Sequence, residues 1–145
     1  MSDDIILNPV LEAAKRGYTE QIKEALEQKQ GKITDLDPQK NTPLHWAAGG
    51  GHYEAVEFLI SLGSDVNQAN ASGDTPLHRS AWKGHAKVSE LLVQKGAGPS
   101  RLAKNRDGKM PIDLAKATEV KRAVAPPPQE TPEDEAFDQE EEDSD

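Results

Sequence analysis

Two stretches of the chain carry the same order of apolar and polar positions, 33 residues apart. Each begins with Thr-Pro-Leu-His, at residues 42–45 and again at residues 75–78. In each, small residues and a Gly-His pair follow, and then apolar positions at i, i+3 and i+4, the spacing of one helix face. These apolar positions are Val56, Leu59 and Ile60 in the first stretch and Val88, Leu91 and Leu92 in the second. Each stretch therefore predicts two helices joined by a turn.

The ends of these helices carry recognisable signals. Thr42 and Thr75 suit the N-cap position, and the proline after each suits the first helical position, where no N–H is needed. Glycine permits the positive φ that commonly ends a helix. The glycines predicted to end helices are Gly51, Gly63, Gly84 and Gly96. The polar residues 64–74 predict a projecting, hairpin-like loop between the two stretches.

Weaker copies of the pattern precede and follow. Residues 8–10, Asn-Pro-Val, lie 34 residues before the first Thr-Pro-Leu, and Pro111 lies 35 residues after Pro76. In the last copy Asp113 replaces the His, and the second helix shortens to about residues 119–124 before three prolines. We predict one domain, residues 5–125, made of units at about residues 8–40, 41–73, 74–108 and 109–125. Atypical first and last units are expected, because a terminal unit needs a polar outer face.

Thr-Pro-Leu-His at a period near 33 residues is a signature of ankyrin repeats, and both stretches resemble that family. The resemblance implies an all-α ankyrin-repeat solenoid, in which helix-turn-helix units with hairpin loops stack into a continuous core. It also implies that the histidines form hydrogen bonds to backbone groups and connect the units. These are His45, His52, His78 and His85. Partners would bind at loop tips and at outward positions of the first helices, which line a concave face.

Composition excludes several classes of protein. The chain has no cysteine, so neither a disulfide nor a thiolate metal site is expected. Its first residues lack a basic region and a long apolar run, so no signal peptide is expected. No stretch approaches the roughly 18 apolar residues of a membrane span. We expect a monomer in the cytoplasm, the nucleus or both, with no membrane partner.

Charge is strongly segregated along the chain. Residues 1–78 carry 6 basic and 12 acidic side chains. Residues 79–122 carry 11 basic and 4 acidic side chains, whereas residues 123–145 carry 10 acidic side chains and no basic one. Residues 126–145 are rich in proline and acid, with Phe137 as the single large apolar residue, and we predict a disordered acidic tail. The tail either keeps the protein in solution or contacts a basic surface, of a partner or of the chain itself. Thr131 and Ser144 are candidate phosphorylation sites within it.

The sequence shows no catalytic pattern. The run of glycines at residues 49–51 is not followed by Gly-Lys-Ser or Gly-Lys-Thr, so it is not a phosphate loop. There is no Gly-x-Ser-x-Gly motif, and no pair of carboxylates lies in an apolar context. We predict a protein that is not an enzyme and has no cofactor and no metal site.

The residues expected to bind a partner belong to the predicted concave face. Trp82 holds a position that is usually exposed, beside Lys83 and near Arg79, and tryptophan and arginine are common at binding hot spots. Trp46 either packs between units or contacts the partner. The loop at residues 101–109 has four basic residues and two extra positions, and it is either simply solvated or reads an anionic segment. The candidates are Trp46, Asp74, Arg79, Trp82, Lys83, Arg106 and Lys109.

Two functions remain open from these patterns. The first is a non-enzymatic adaptor that binds another protein, through a peptide or a domain, on its concave face. The alternative is a chaperone or escort for a basic client, such as a ribosomal protein or a histone, that uses the acidic tail. Nucleic acid is not expected as a partner, because the net charge is −9 and no recognition helix is evident.

Overall fold

The computed structural model describes residues 8–127, which form a stack of helix pairs. The helices are α1 (Pro9–Arg16), α2 (Thr19–Glu27), α3 (Pro43–Gly49), α4 (Tyr53–Ser61), α5 (Pro76–Lys83), α6 (Ala86–Leu92), α7 (Pro111–Leu114) and α8 (Thr118–Val124). The first helices of successive pairs pack in one row, α1 on α3, α3 on α5 and α5 on α7. The second helices pack in another row, α2 on α4, α4 on α6 and α6 on α8. The described residues contain no strand, which confirms the all-α prediction.

The helices begin where the capping signals predicted. The Thr42 hydroxyl accepts a hydrogen bond from the backbone N–H of His45 at 3.2 Å. Thr75 and His78 repeat this bond at 3.3 Å. In the first pair, the Asn8 side chain accepts from the backbone of Val10 at 3.0 Å. Proline follows each cap as the first helical residue. These bonds satisfy backbone donors that a short helix cannot pair internally.

The core runs through all four pairs without interruption. Leu44 and Leu77, which follow the N-terminal prolines of α3 and α5, are fully buried. Ala47 and Ala48 are also fully buried, and their small size lets the first helices approach closely. The second helices add larger side chains. These include Ile22, Val56, Leu59, Leu92, Val120 and Val124. Each pair therefore buries its apolar face against a neighbouring pair.

The loops between pairs share one construction. Asp37, Asn70 and Asn105 occupy equivalent positions, and the side-chain oxygen of each accepts two backbone N–H groups further along its own loop, at distances between 2.8 and 3.0 Å. Successive loops are joined by backbone hydrogen bonds, from Ala71 N–H to the Gln39 carbonyl and from Arg106 N–H to the Ser72 carbonyl, both 2.9 Å. The loops thus stack in register with the helices.

The two extra residues of the third loop do not lengthen its tip. After α6 the chain makes a wide turn, Val93–Ala97, and then a 3₁₀ helix, Gly98–Leu102. Arg101 lies on this 3₁₀ helix, and its Nε donates to the Gly98 carbonyl at 3.0 Å. The basic stretch at residues 101–109 therefore begins in a helical segment, and its contact with an anionic segment stays a prediction.

The last pair is short and differs at the position of the His. Asp113 Oδ2 accepts the Met110 N–H at 2.9 Å, as His45 Nδ1 accepts the Thr42 N–H at 3.1 Å. The Nε2–H of His45 donates to the Asp74 carbonyl of the next loop, and a carboxylate has no N–H that could form such a bond. Because α7 and α8 end the described stack, no following loop is present there to accept such a bond. The aspartate therefore caps its helix as the histidine does, but among the described residues it forms no hydrogen bond to a following loop.

The predicted acidic tail, residues 126–145, lies outside the described residues except for Pro126 and Pro127. Its predicted disorder and the candidate phosphorylation sites Thr131 and Ser144 fall in that part of the chain. The unit boundaries given above also stay predictions. None of the helices between residues 8 and 127 is long and apolar enough to cross a membrane.

Candidate functional site

Five side chains form a row of alternating cations and aromatic rings along the first helices. Lys15 Nζ lies 4.6 Å from the ring centroid of Trp46. The Arg79 guanidinium lies between the two indoles, 5.8 Å from Trp46 and 5.4 Å from Trp82. Lys83 Nζ lies 4.9 Å from the Trp82 ring. All four distances are within the range in which a cation is attracted to an aromatic face. We call these five residues the cation–aromatic row.

The repeat explains how residues from three helices meet in this row. Trp46 and Arg79 are equivalent, since each follows a Thr-Pro-Leu-His histidine. Lys15, Gly49 and Trp82 are also equivalent, one helical turn later. Gly49 is buried beneath Arg79, and a Cβ at this position would lie 3.5 Å from Arg79 Nε. That distance is an ordinary van der Waals contact, so Arg79 packs directly over the backbone of Gly49.

The two tryptophans differ in exposure. Trp46 is partly buried against the core, and its indole N–H donates to Asp37 Oδ2 at 2.8 Å. Trp82 is exposed, as predicted, with 50% of its surface accessible. Trp46 is thus held by packing and by a charge-assisted hydrogen bond, whereas Trp82 offers a large apolar surface to solvent.

A groove of about 340 Å³ lies beside Trp82, between α5, α7 and the third loop. Its lining residues are Asp74, His78, Arg79, Trp82, Asn105, Asp107 and Leu114. Asp74 is already engaged, because its carboxylate accepts from the Asn105 side chain at 2.8 Å. Arg79 Nε is buried and has no hydrogen-bond partner among residues 8–127. The groove therefore combines an indole, an incompletely paired guanidinium and, on the loop side, the carboxylate of Asp107.

The Thr-Pro-Leu-His histidines connect each unit to the next. His45 Nε2 donates to the Asp74 carbonyl at 2.9 Å, and His78 Nε2 donates to the Lys109 carbonyl at 2.9 Å. Nδ1 of His45 accepts from Thr42, which requires the neutral ring with its proton on Nε2. Burial lowers the pKa of His45, and the nearby Arg79 charge acts in the same direction, against the opposing effect of the bond to the Asp74 carbonyl.

The other two histidines point the opposite way along the stack. His52 Nε2 donates to the Lys15 carbonyl at 2.9 Å, and His85 Nε2 donates to the Gly49 carbonyl at 3.1 Å. These carbonyls lie near the ends of α1 and α3, directly beneath the row. The predicted structural role of all four histidines is confirmed. In residues 8–127 no three metal-ligating side chains come together.

The structure brings together some of the predicted site residues and separates others. Arg106 and Lys109 are exposed on the third loop, outside the cation–aromatic row and the residues that line the groove. Their backbones join neighbouring units, since Arg106 N–H bonds the Ser72 carbonyl and the Lys109 carbonyl accepts from His78. Lys15 was missed by the sequence reasoning. Its register with Gly49 and Trp82 was the available signal.

Comparison with known proteins identifies the repeat. A family model for ankyrin repeats in three copies matches residues 10–103. The chain is similar to osteoclast-stimulating factor 1 of Danio rerio, 50% identical over 54 residues, which cover 37% of this chain and 25% of that protein. It is also similar to 26S proteasome non-ATPase regulatory subunit 10 of Homo sapiens, 39% identical over 64 residues, which cover 44% of this chain and 28% of that protein.

A further match is osteoclast-stimulating factor 1 of Gallus gallus, 42% identical over 62 residues, which cover 42% of this chain and 30% of that protein. The matched segments thus span less than a third of the length of these relatives. The family and its relatives support a protein-binding role. Since the family match covers more than half of the sequence and the helix pairs stack as such repeats do, the chain belongs to the ankyrin-repeat family.

Proposed function

We propose that the protein is a non-enzymatic adaptor that binds a segment of another protein along the cation–aromatic row and the adjacent groove. The observation that carries this proposal is Trp82, half exposed and held between the cations of Arg79 and Lys83. Tryptophan and arginine dominate binding hot spots because each buries a large surface and makes directional contacts. An indole in this position favours a partner that covers it.

The packing of the helices that carry the row supports the same proposal. Trp82 lies on α5, which packs against α3 and α7, and Arg79 is held over Gly49 between two rings. A site whose backbone is held by packed helices requires little ordering of that backbone on association, which limits the entropy that binding costs. Covering the exposed indole removes apolar surface from water, a gain of about 25 cal/mol for each Å². Both effects favour binding of a partner at the cation–aromatic row.

The kind of partner follows from the family. One relative is named as a regulatory subunit of the proteasome, which is a statement about that protein and its own assembly. For this chain we infer only that the partner is a protein. The escort function for a basic client gains no support from the family or the relatives, and its proposed element lies outside the described residues. Cytoplasmic or nuclear location and the monomeric state stay predictions.

The experiment is a quantitative affinity capture with the full chain and two matched variants. Trp82→Ala removes the exposed indole, and Tyr53→Ala removes another exposed aromatic side chain, 42% accessible, on α4. A partner of the concave face should be retained by Tyr53→Ala and lost with Trp82→Ala. With purified partner, Trp82→Ala should weaken the affinity by about 10–100-fold, which corresponds to roughly 1.4–2.7 kcal/mol.

A third variant tests the charged part of the site. Lys83→Glu keeps the fold, since the side chain is exposed at the end of α5, and should also reduce binding. Thermal unfolding followed by circular dichroism would verify that each variant is folded. If both Trp82→Ala and Lys83→Glu captured every partner as well as the wild-type chain, the row would not be the binding site.

A further inference from the structure

Arg79, Trp82 and Lys83 form the exposed end of the row, and its two cations lack carboxylate partners within the described part of the chain. Lys15 is paired with Glu12 at 3.4 Å. Neither Arg79 nor Lys83 forms an ion pair with a carboxylate of residues 8–127. Both cations lie against Trp82, so the surface offers one aromatic ring and two positive charges. Its complement is an acidic segment that contains an aromatic residue.

The chain itself contains such a segment. Residues 128–145 hold 10 acidic residues and no basic residue, and Phe137 is their single aromatic side chain. Phe137 stands in the sequence Glu-Asp-Glu-Ala-Phe-Asp-Gln-Glu-Glu-Glu, residues 133–142. An aromatic pair prefers offset or edge-to-face packing, and guanidinium groups bind carboxylates through paired hydrogen bonds. Both kinds of contact are available between this segment and the exposed end of the row.

We propose that residues 133–142 dock on the exposed end of the row of the same chain, with Phe137 against Trp82 and neighbouring carboxylates on Arg79 and Lys83. This inference rests on the proposed function and specifies it, because it names the chemistry that the face selects. The segment acts as an internal ligand, and an external partner of the same acidic, aromatic character must displace it.

The chain is long enough for this contact. Phe137 is ten residues beyond Pro127, and an extended chain spans about 3.3 Å per residue, or roughly 33 Å. The described chain ends just after α8, and α8 packs against α5, the helix that carries Arg79, Trp82 and Lys83. The tether therefore starts from an element that is in contact with the helix of the proposed site.

Tethering makes even a weak contact significant. A short tether gives an effective concentration on the order of 1 mM, so a segment with a dissociation constant of that order would cover the face about half of the time. A partner would then bind about twofold more weakly than to an uncovered face. Exposed charge pairs are screened by salt, with a Debye length of about 10 Å at 0.1 M and about 3 Å at 1 M. The contact should therefore weaken as salt is added.

The test uses the full chain and nuclear magnetic resonance, read from both sides of the contact. The indole N–H of Trp82 is followed at about 20 mM and about 500 mM salt, conditions between which screening changes strongly. It is also followed in Phe137→Ala and in the triple variant Glu140→Gln, Glu141→Gln, Glu142→Gln. We expect the Trp82 resonance to move in the same direction with salt, with the loss of Phe137 and with the loss of the three charges.

The reciprocal measurement uses variants of the face and reads the backbone amides of residues 133–142. Lys83→Glu should shift these amides towards their high-salt positions. The matched control is Lys87→Glu, an equally charged change at an exposed position on α6, which should leave them unchanged. A Trp82 resonance that is identical in the wild-type chain, Phe137→Ala and the triple variant at low salt would overturn the proposal. Shifts that grow with protein concentration would also overturn it, because the segment would then dock on a second copy.

The failure of this inference and the failure of the proposed function give different results. If binding of a partner requires Trp82 but the Trp82 resonance does not change in Phe137→Ala, the internal contact alone would be refuted. An internal contact without any partner that depends on Trp82 would refute the adaptor function alone. If both proposals hold, Phe137→Ala should bind the partner about twofold more tightly than the wild-type chain.

Discussion

At the scale of single residues, the choice between asparagine and aspartate at equivalent loop positions follows from the hydrogen-bond partner that each side chain contacts. Asn70 and Asn105 close their loops with the side-chain oxygen and donate from the amide nitrogen to the preceding loop, as Asn70 does to Asn41 at 2.7 Å. Within residues 8–127, Asp37 belongs to the first loop of the series. Its second oxygen instead accepts the Trp46 indole N–H. The choice of Asp or Asn is thus set by position in the stack.

His45 leads to a prediction about pH. Its pKa is lowered by burial, so the unfolded chain takes up a proton at a higher pH than the folded chain does. The stabilisation that His45 provides is therefore complete above about pH 6.5 and is lost as the pH falls from there towards the lower pKa of the folded state. We expect the difference in unfolding free energy between the wild-type chain and His45→Asn to shrink as the pH is lowered from roughly 7.5 to 5.5.

Urea unfolding of both proteins at the two pH values measures this difference. Subtracting the variant from the wild-type chain removes the contribution of carboxylates that titrate in both. A difference that stays constant with pH would show that His45 does not carry the effect.

At the scale of elements, helices of this length do not form by themselves. They range from 4 residues in α7 to 9 in α2 and α4, whereas isolated helices shorter than about 12–15 residues are marginal in water. Capping and stacking define them instead. The caps at Thr42 and Thr75 were readable because they depend on adjacent residues. The 3₁₀ helix at Gly98–Leu102 was not, because the two extra residues could be accommodated at several places in the loop.

The turns after α3 and α5 allow a matched prediction. Gly51 and Gly84 both have positive φ, 72° and 83°. A Cβ at Gly84 meets nothing within 4 Å, whereas a Cβ at Gly51 would lie 2.6 Å from the His85 ring, which bonds the Gly49 carbonyl. Gly84→Ala should cost about 1 kcal/mol from backbone strain alone. Gly51→Ala should cost about 1–3 kcal/mol more, because His85 must move and leave a buried carbonyl unpaired.

Chemical denaturation of the two alanine variants tests this order. Equal losses of stability would mean that the bond from His85 contributes little to the stack.

At the scale of the whole molecule, stability comes from neighbouring pairs and depends on position in the stack. A central second helix such as α4 packs between α2 and α6, whereas α8 has a neighbouring second helix on one side among the described residues. In repeat architectures, the total stability is approximately the sum of unit terms and interface terms between neighbours. The same side-chain deletion should therefore have different consequences in the middle and at the end.

Val56 and Val120 provide the matched pair, with exposures of 0% and 1%. Val56→Ala should lower the free energy of global unfolding by about 2 kcal/mol, from lost burial and a residual cavity. Val120→Ala should act mainly on α7 and α8, which would open locally and exchange their amide hydrogens faster. Hydrogen exchange by mass spectrometry, together with urea unfolding, measures both effects. A uniform increase in exchange across the whole stack for Val120→Ala would contradict the position dependence.

The sequence by itself determined the repeat, the helix ends and the faces of the helices that are buried. These features depend on contacts between residues close in the sequence, such as a threonine cap three residues before its histidine. The spacing of residue types along the sequence is enough to predict such contacts. The preference for Trp82 as an exposed residue followed in the same way, from its place in the unit. The family resemblance added the role of the histidines as connections between units.

Only the tertiary structure decided which residues of different units meet. The cation–aromatic row joins side chains that are up to 68 positions apart, from Lys15 to Lys83. The row depends on the spacing between stacked helices, which places Arg79 over Gly49. Local patterns carry no information on such distances, because they arise from packing between units. For this reason Lys15 was missed.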